Sequence, residues 1–225
     1  MKILMAVSGL YFVFYVLLHM YGNLKILAGP ASFDEYAHHL RTILEPMLPY
    51  EGFLWVFRLS LVLALVAHLY SAFTLWGRAN GARRDRYVIA KAVGASLSSK
   101  WMRWGGVTLL LFLIFHLIQF TIVKLNLNTG YVPSGGYVDG RVSESVGLLV
   151  IATFKIWWLV AIYLLALLAL ALHIHHGVWS ASQTLGWTNK ATSRATAKSA
   201  GLFLALVVVI GFMIPPLAIL FGIVK

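Results

Sequence analysis

Four histidines lie well inside apolar stretches of the chain, each in a different one: His19, His68, His116 and His173. An imidazole in hydrocarbon is costly unless something pairs with it, so an ionisable side chain there marks a functional site. Three kinds of chemistry are open to it: metal ligation, proton transfer, and hydrogen bonding between helices. The stretch that carries His173, Gly147 to about Gln183, ends in His173-Ile174-His175-His176-Gly177-Val178-Trp179. Which chemistry applies depends on how the apolar stretches place the four rings.

With 60% hydrophobic and 11% charged residues and a mean hydropathy of +0.84, the composition is that of an integral membrane protein. A helix needs about 20 apolar residues to cross a hydrocarbon core about 30 Å thick. Five stretches qualify, at approximately 2–27, 52–76, 104–125, 147–183 and 200–224. The expectation is one transmembrane domain over residues 1–225 with short loops and no extramembrane domain. The first span is too long, and lacks the small-residue cleavage pattern, to read as a removable signal peptide. The absence of cysteine excludes disulfides, thiolate-held iron–sulfur clusters and the C-x-x-C-H attachment of c-type haem. The net charge of +11 lies almost wholly between the spans, where it meets lipid phosphates or a protein partner rather than nucleic acid.

The loops differ in sign. Ala28 to Glu51 carries Asp34, Glu35, Glu45 and Glu51 against Arg41, and Ser32 with Glu35 three residues on reads as a capped start of a surface helix. Arg78 to Arg103 carries seven basic residues against Asp85 alone. The Asn126 to Ser145 loop is rich in Gly, Asn, Ser and Pro and close to neutral, and the last loop holds Lys190, Arg194 and Lys198 without an acid. Basic loops face the cytoplasm. The amino terminus is therefore expected inside and the carboxyl terminus outside. Only helices or closed barrels satisfy the backbone in lipid, and with no β pattern and no repeat the fold class expected is an all-α bundle of five transmembrane helices. Pro215-Pro216 is expected to kink the last helix near its end.

Depth follows from the helical rise. His19 lies six residues before Lys25 and His116 eight before Lys124, which puts both roughly 9–12 Å from an outer boundary charge. His68 lies 17 residues past Glu51 and His173 18 past Lys155, roughly 25 Å or more from that side. Four histidines on four helices, two at each of two depths, are the ligand set of two stacked bis-histidine metallomacrocycles. Ala64 and Ala72 flank His68 on its helix face, Ala169 and Gly177 flank His173, and Gly22 follows His19 by three, all leaving room for a flat ring. Phe112 and Phe120 beside His116 depart from that pattern. Zinc would want carboxylate or thiolate partners in the spans, and there are none, so haem iron with two neutral imidazoles is the better match.

Other polar residues admit two readings each. His175 and His176 either sit near headgroups or hold a haem propionate, and His38 and His39 in the acidic loop read as surface residues. Arg58, Lys155 and Arg141 on the outer side, and Arg78, Lys100 and Arg103 on the inner, either neutralise propionates or anchor the helix ends.

Three stretches carry a family resemblance. His19-Met20-Tyr21-Gly22-Asn23-Leu24, Phe33-Asp34-Glu35-Tyr36-Ala37-His38-His39-Leu40-Arg41, and His173 with His176-Gly177-Val178-Trp179-Ser180-Ala181-Ser182-Gln183-Thr184-Leu185-Gly186-Trp187 closely resemble the cytochrome b558 membrane-anchor subunit of bacterial succinate dehydrogenase and fumarate reductase. The resemblance runs through all five spans. It implies a bacterial cytoplasmic membrane protein whose five helices carry two b haems and anchor a flavoprotein and an iron–sulfur protein on the inner face. It also implies that His19 and His116 bind the distal haem and His68 and His173 the proximal one, with electrons passing from succinate to a quinone, usually menaquinone in this branch. Succinate chemistry itself would lie on the partner subunits.

Two other classes compete with this reading. A cytochrome b anchor of a hydrogenase or formate dehydrogenase would share the bis-histidine haems, and a transporter or proton channel would use the histidines without redox chemistry. For the quinone, an outer site near His19 and His116 is expected, with Glu45 and Glu51 relaying protons. The competing location is a polar inner pocket formed by His176, Ser180 and Gln183.

Overall fold

The computed structural model describes residues 1–81, 97–128, 130, 135–138 and 141–225. Arg83, Arg84, Asp85, Arg86 and Lys91 of the basic loop lie outside the described residues, as do the side chains of Lys100 and Arg141. The elements in chain order are α1 (Lys2–Leu24), α2 (Pro30–Thr42), α3 (Gly52–Gly81), α4 (Leu97–Leu117), strands β1 (Gly135–Val138) and β2 (Arg141–Glu144), α5 (Val146–Phe154), α6 (Trp157–Thr184) and α7 (Ala191–Leu220). Five helical segments are long and apolar enough to cross a membrane: Lys2–Ala28, Gly52–Gly81, Trp101–Ile122, Trp157–Thr184 and Ala191–Leu220. The chain is a multi-pass all-α membrane protein.

Several local expectations give way. The fourth stretch is not one helix, because α5 ends at Phe154 and the chain breaks at Lys155 and the extended Ile156 before α6 begins. A continuous helix over the 37 residues 147–183 would be about 55 Å long, far more than the bilayer core. α5 instead folds in among α2, α6 and α7, and buries Leu149, Val150, Ile151 and Phe154. The fifth helix starts at Ala191 rather than near residue 200, so Arg194 and Lys198 ride on helix and not on a loop. It runs on through Pro215 and Pro216, both buried, to Leu220. The third loop holds a β-ribbon, β1 antiparallel to β2 with Gly135 opposite Glu144, which lies outside the spans.

The surface helix starts three residues earlier than its cap signal suggests. Gly29 at φ 102° turns the chain out of a 3-10 turn over Lys25–Ala28, and Pro30 opens α2 with its φ already helical. Ser32 falls inside α2 and caps nothing, whereas Asp34 takes the Ser145 hydroxyl and, at 2.8 Å, the Gly147 N–H, so that it caps α5 from another helix. A side chain at Gly147 would press on the Pro30 carbonyl at 2.6 Å, so only glycine lets α5 sit this close to α2.

In lipid there is little hydrophobic force between helices, and close approach depends on small residues. α7 presents Gly201, Ala205, Val208 and Gly211 as its buried stripe, and a Cβ at Gly201 would lie 2.8 Å from the His175 carbonyl of α6. α1 packs on α3, α6 and α7, and α4 packs on α6. The result is a frame in which α1 and α6 form the packed centre, with α3 beside α1 and α4 beside α6. α3 and α4 meet at the end away from α2, where Trp76 and Trp104 cross edge to face at 6.2 Å and Arg103 covers Trp76 at 5.4 Å.

Candidate functional site

The two diagonals of that frame, α1 to α4 and α3 to α6, are the helix pairs that carry the histidines. Neither diagonal pair belongs to the closely packed helix pairs among the described residues, yet the rings meet. His19 on α1 and His116 on α4 have centres 5.8 Å apart at 78°, and His68 on α3 and His173 on α6 have centres 6.2 Å apart at 56°. A metal between two imidazole nitrogens, with bonds of roughly 2 Å and about 1 Å more to each ring centre, needs ring centres about 6 Å apart. Twist about the common axis changes the interplanar angle but not the separation. Among the described residues no group of three or more His, Asp or Glu side chains converges, so each pair offers a metal two ligands, the full axial set of a macrocycle and half the set of a bare zinc site.

The protons on these rings are placed by their neighbours. The Ser8 hydroxyl donates to the Leu4 carbonyl at 2.8 Å, so toward His68 Nδ1, 3.1 Å away, it can only accept. Tyr163 donates to Gln119 Oε1 at 2.7 Å and therefore accepts from His116 Nδ1 at 3.2 Å. Asn23 Nδ2 approaches His19 Nε2 at 3.4 Å while donating to the His19 carbonyl at 2.8 Å. In His68 and His116 the proton sits on Nδ1 and the lone pair on Nε2, the form a metal-ligating imidazole takes when its other nitrogen is hydrogen-bonded, whereas in His19 it is Nε2 that Asn23 approaches. His173 Nδ1 is buried with no partner among the described residues.

The room around the rings comes partly from residues the spacing did not single out. A Cβ at Gly9 of α1 would lie 3.3 Å from His68 Cε1, and one at Gly106 of α4 would lie 3.7 Å from His173 Cε1, while a Cβ at Gly177 would meet nothing within 4 Å. Gly22 does not serve this purpose. Its space is filled by the Tyr36 ring of α2, which a Cβ there would meet at 2.6 Å, and burial, with Tyr21 beside it, holds the Tyr36 hydroxyl above its ordinary pKa against the pull of Lys25. The His19 and His116 pair is walled by aromatic rings, with Tyr15 parallel to His19 at 5.5 Å and Phe120 5.5 Å and Phe112 5.9 Å from His116. These residues fit a flat, apolar, axially ligated group.

The two levels are built from the same two helices. On α1, Ser8 stands at the level of the His68 pair and His19 eleven residues on. On α6, Tyr163 stands at the level of the His116 pair and His173 ten residues on. At about 1.5 Å per residue the levels are roughly 15 Å apart. Ser8, Tyr163 and Gln119 were legible only as polar residues inside apolar spans. The signal that could have found them is the need of each buried ring nitrogen for a partner.

The remaining candidates are not gathered at one place. Arg58 stacks on Trp55 at 5.0 Å, and Lys155 is exposed at the α5–α6 corner. Glu45 is exposed, whereas Glu51 is held by Arg41 Nε at 3.0 Å. His39 is exposed and His38 lies 6.5 Å from Tyr50. At the far end His175, His176 and Ser180 are half-buried and Gln183 is exposed. The groove there is lined by Ser182, Trp187, Thr192, Ser193, Thr196 and Ala197 and not by His176, Ser180 or Gln183. Arg103 donates to Asn80 at 3.3 Å, and Arg78 lies in the last turn of α3.

Fold and site together define a five-span helical membrane protein with two internal imidazole pairs. Comparison with known protein families, with curated proteins and with solved structures finds no match.

Proposed function

We propose that this chain is the membrane-anchor, di-haem cytochrome b subunit of a succinate:quinone oxidoreductase. The observation that supports the haem reading most directly is the pair of imidazole separations, 5.8 and 6.2 Å, on the two open diagonals of one four-helix frame. His19 and His116 would hold one haem b, and His68 and His173 the other. A b haem ligated by two imidazoles supplies one-electron redox chemistry.

The assignment to this complex rests on the resemblance of the His19 to Leu24, Phe33 to Arg41 and His173 to Trp187 stretches. On that reading the chain lies in the bacterial cytoplasmic membrane with the end opposite α2 inside. Arg78, Arg103, Lys190, Arg194 and Lys198 cluster at that end, a charge suited to anionic headgroups and to the acidic surface of an iron–sulfur subunit that docks there with its flavoprotein. Quinone, menaquinone by the resemblance, would be reduced at the α2 end. Because Arg41 pins Glu51, the proton-delivering carboxylate proposed there is Glu45.

A dithionite-reduced minus oxidised spectrum of the purified chain, with haem counted by the pyridine haemochrome, tests the reading. Two b haems per chain are expected. A chain that folds in detergent but shows no b-type absorption would overturn it.

A further inference from the structure

Among the four paired histidines, His116 alone has a ring nitrogen hydrogen-bonded to a partner whose own proton is fixed by a third side chain. Tyr163 donates to Gln119 Oε1 at 2.7 Å and accepts from His116 Nδ1 at 3.2 Å. Gln119 is fully buried, on a single π-helical turn over Ile118–Ile122 that immediately follows α4. Single π turns inside helices recur at functional sites, and this one places Gln119 three residues past His116. Phe112 and Phe154 stand edge-on to the Tyr163 ring at 4.9 and 5.0 Å, and the residue is buried. Water is kept from competing for the hydrogen bond, which in low dielectric has a larger effect on its partners than the same bond at a surface.

We propose that Tyr163 is the positioning residue that sets the redox potential of the His19 and His116 haem, with Gln119 holding its hydroxyl in the accepting orientation. This rests on the two-haem reading above. An acceptor on Nδ1–H raises the basicity of the ligating nitrogen and favours the more highly charged metal, so it stabilises ferric over ferrous iron. His173, at the other site, has no such partner among the described residues. At that site the corresponding acceptor is Ser8, which serves His68.

Redox titration of the purified, haem-loaded protein by optical and electron paramagnetic resonance spectroscopy tests this with Tyr163→Phe, Gln119→Leu and Ser8→Ala. Tyr163→Phe keeps the ring and removes the acceptor. It should raise the midpoint potential of the His19 and His116 haem alone, by up to about a tenfold change in its ferric-to-ferrous ratio, about 59 mV for one electron, and shift that haem's low-spin signal. Gln119→Leu should move the same haem in the same direction by less, and decides the matter if Tyr163→Phe loses the haem. Ser8→Ala should move only the other haem. Two haems with unaltered potentials in the first two variants, or equal shifts at both haems, would overturn the proposal, whereas a parent protein without haem would overturn the reading beneath it.

Discussion

Ser8 and His68 lie 3.1 Å apart across the α1–α3 contact, yet the histidine that α1 itself carries, His19, belongs to the other pair. Tyr163 and His116 repeat the relationship from α6, whose His173 pairs with His68. Each central helix thus supplies an imidazole of one pair and a hydroxyl to the other pair. α3 supplies an imidazole alone, and Gln119, just past α4, joins His116 in contact with Tyr163.

The pairing itself is open to a direct test. His68→Ala and His173→Ala should remove the same haem from the low-temperature reduced spectrum, and His19→Ala and His116→Ala the other. Identical losses from His68→Ala and His116→Ala would mean that the rings ligate across the levels instead.

The glycines that face the rings predict a site-selective block. Gly9→Leu would drive a side chain into His68, where even a Cβ would stand 3.3 Å from the ring, and Gly106→Leu would do the same toward His173. Either variant should lower haem content from two per chain toward one, with the remaining haem showing the spectrum of the His19 and His116 site. Full haem content in both would count against these glycines as the walls of the site.

At the α2 end, Asp34→Ala removes the acceptor for Ser145 and Gly147 and should cost about 1 kcal/mol, the usual worth of a helix N-cap. Gly147→Val should cost more, because its side chain meets backbone rather than a mobile tip. Thermal unfolding in detergent would measure both, and a melting temperature unchanged by Gly147→Val would contradict the close seat of α5 on α2.

The proposed docking of an iron–sulfur partner predicts where crosslinks form. In the intact complex, Lys190 and Lys198, exposed at the end opposite α2, should reach the iron–sulfur subunit by mass spectrometry after amine crosslinking. Lys91 and Lys100, from the basic loop, should join them. Crosslinks confined to Lys25 and Lys155 would reverse the proposed topology.

The spans were legible because about 20 apolar residues in a row have few other fates, and the paired depths were legible because helical rise converts residue counts to distance. What escaped notice depended on one residue against an apolar background. The fourth stretch breaks at Lys155 and the extended Ile156, where the sequence shows a single charge in an apolar run, and Gly29 with Pro30 overrides the Ser32 cap signal by setting the backbone before a side chain can choose. Gly22 was read as space for a ring, but a residue fourteen positions on, Tyr36, occupies it once α2 folds back. Tyr163 in an apolar run looks like any interfacial aromatic until His116 is brought to it from another helix.

Placing both devices on α1 and α6 has a consequence for how errors spread. A slip of one residue turns a helix by about 100°. In α1 it would swing Ser8 away from His68 and His19 away from His116 in the same movement, and in α6 it would displace Tyr163 and His173 together. The same slip in α3 would misplace His68 alone. The two buried centres therefore share one angular setting, and a fault in either central helix is felt at both levels of the membrane at once.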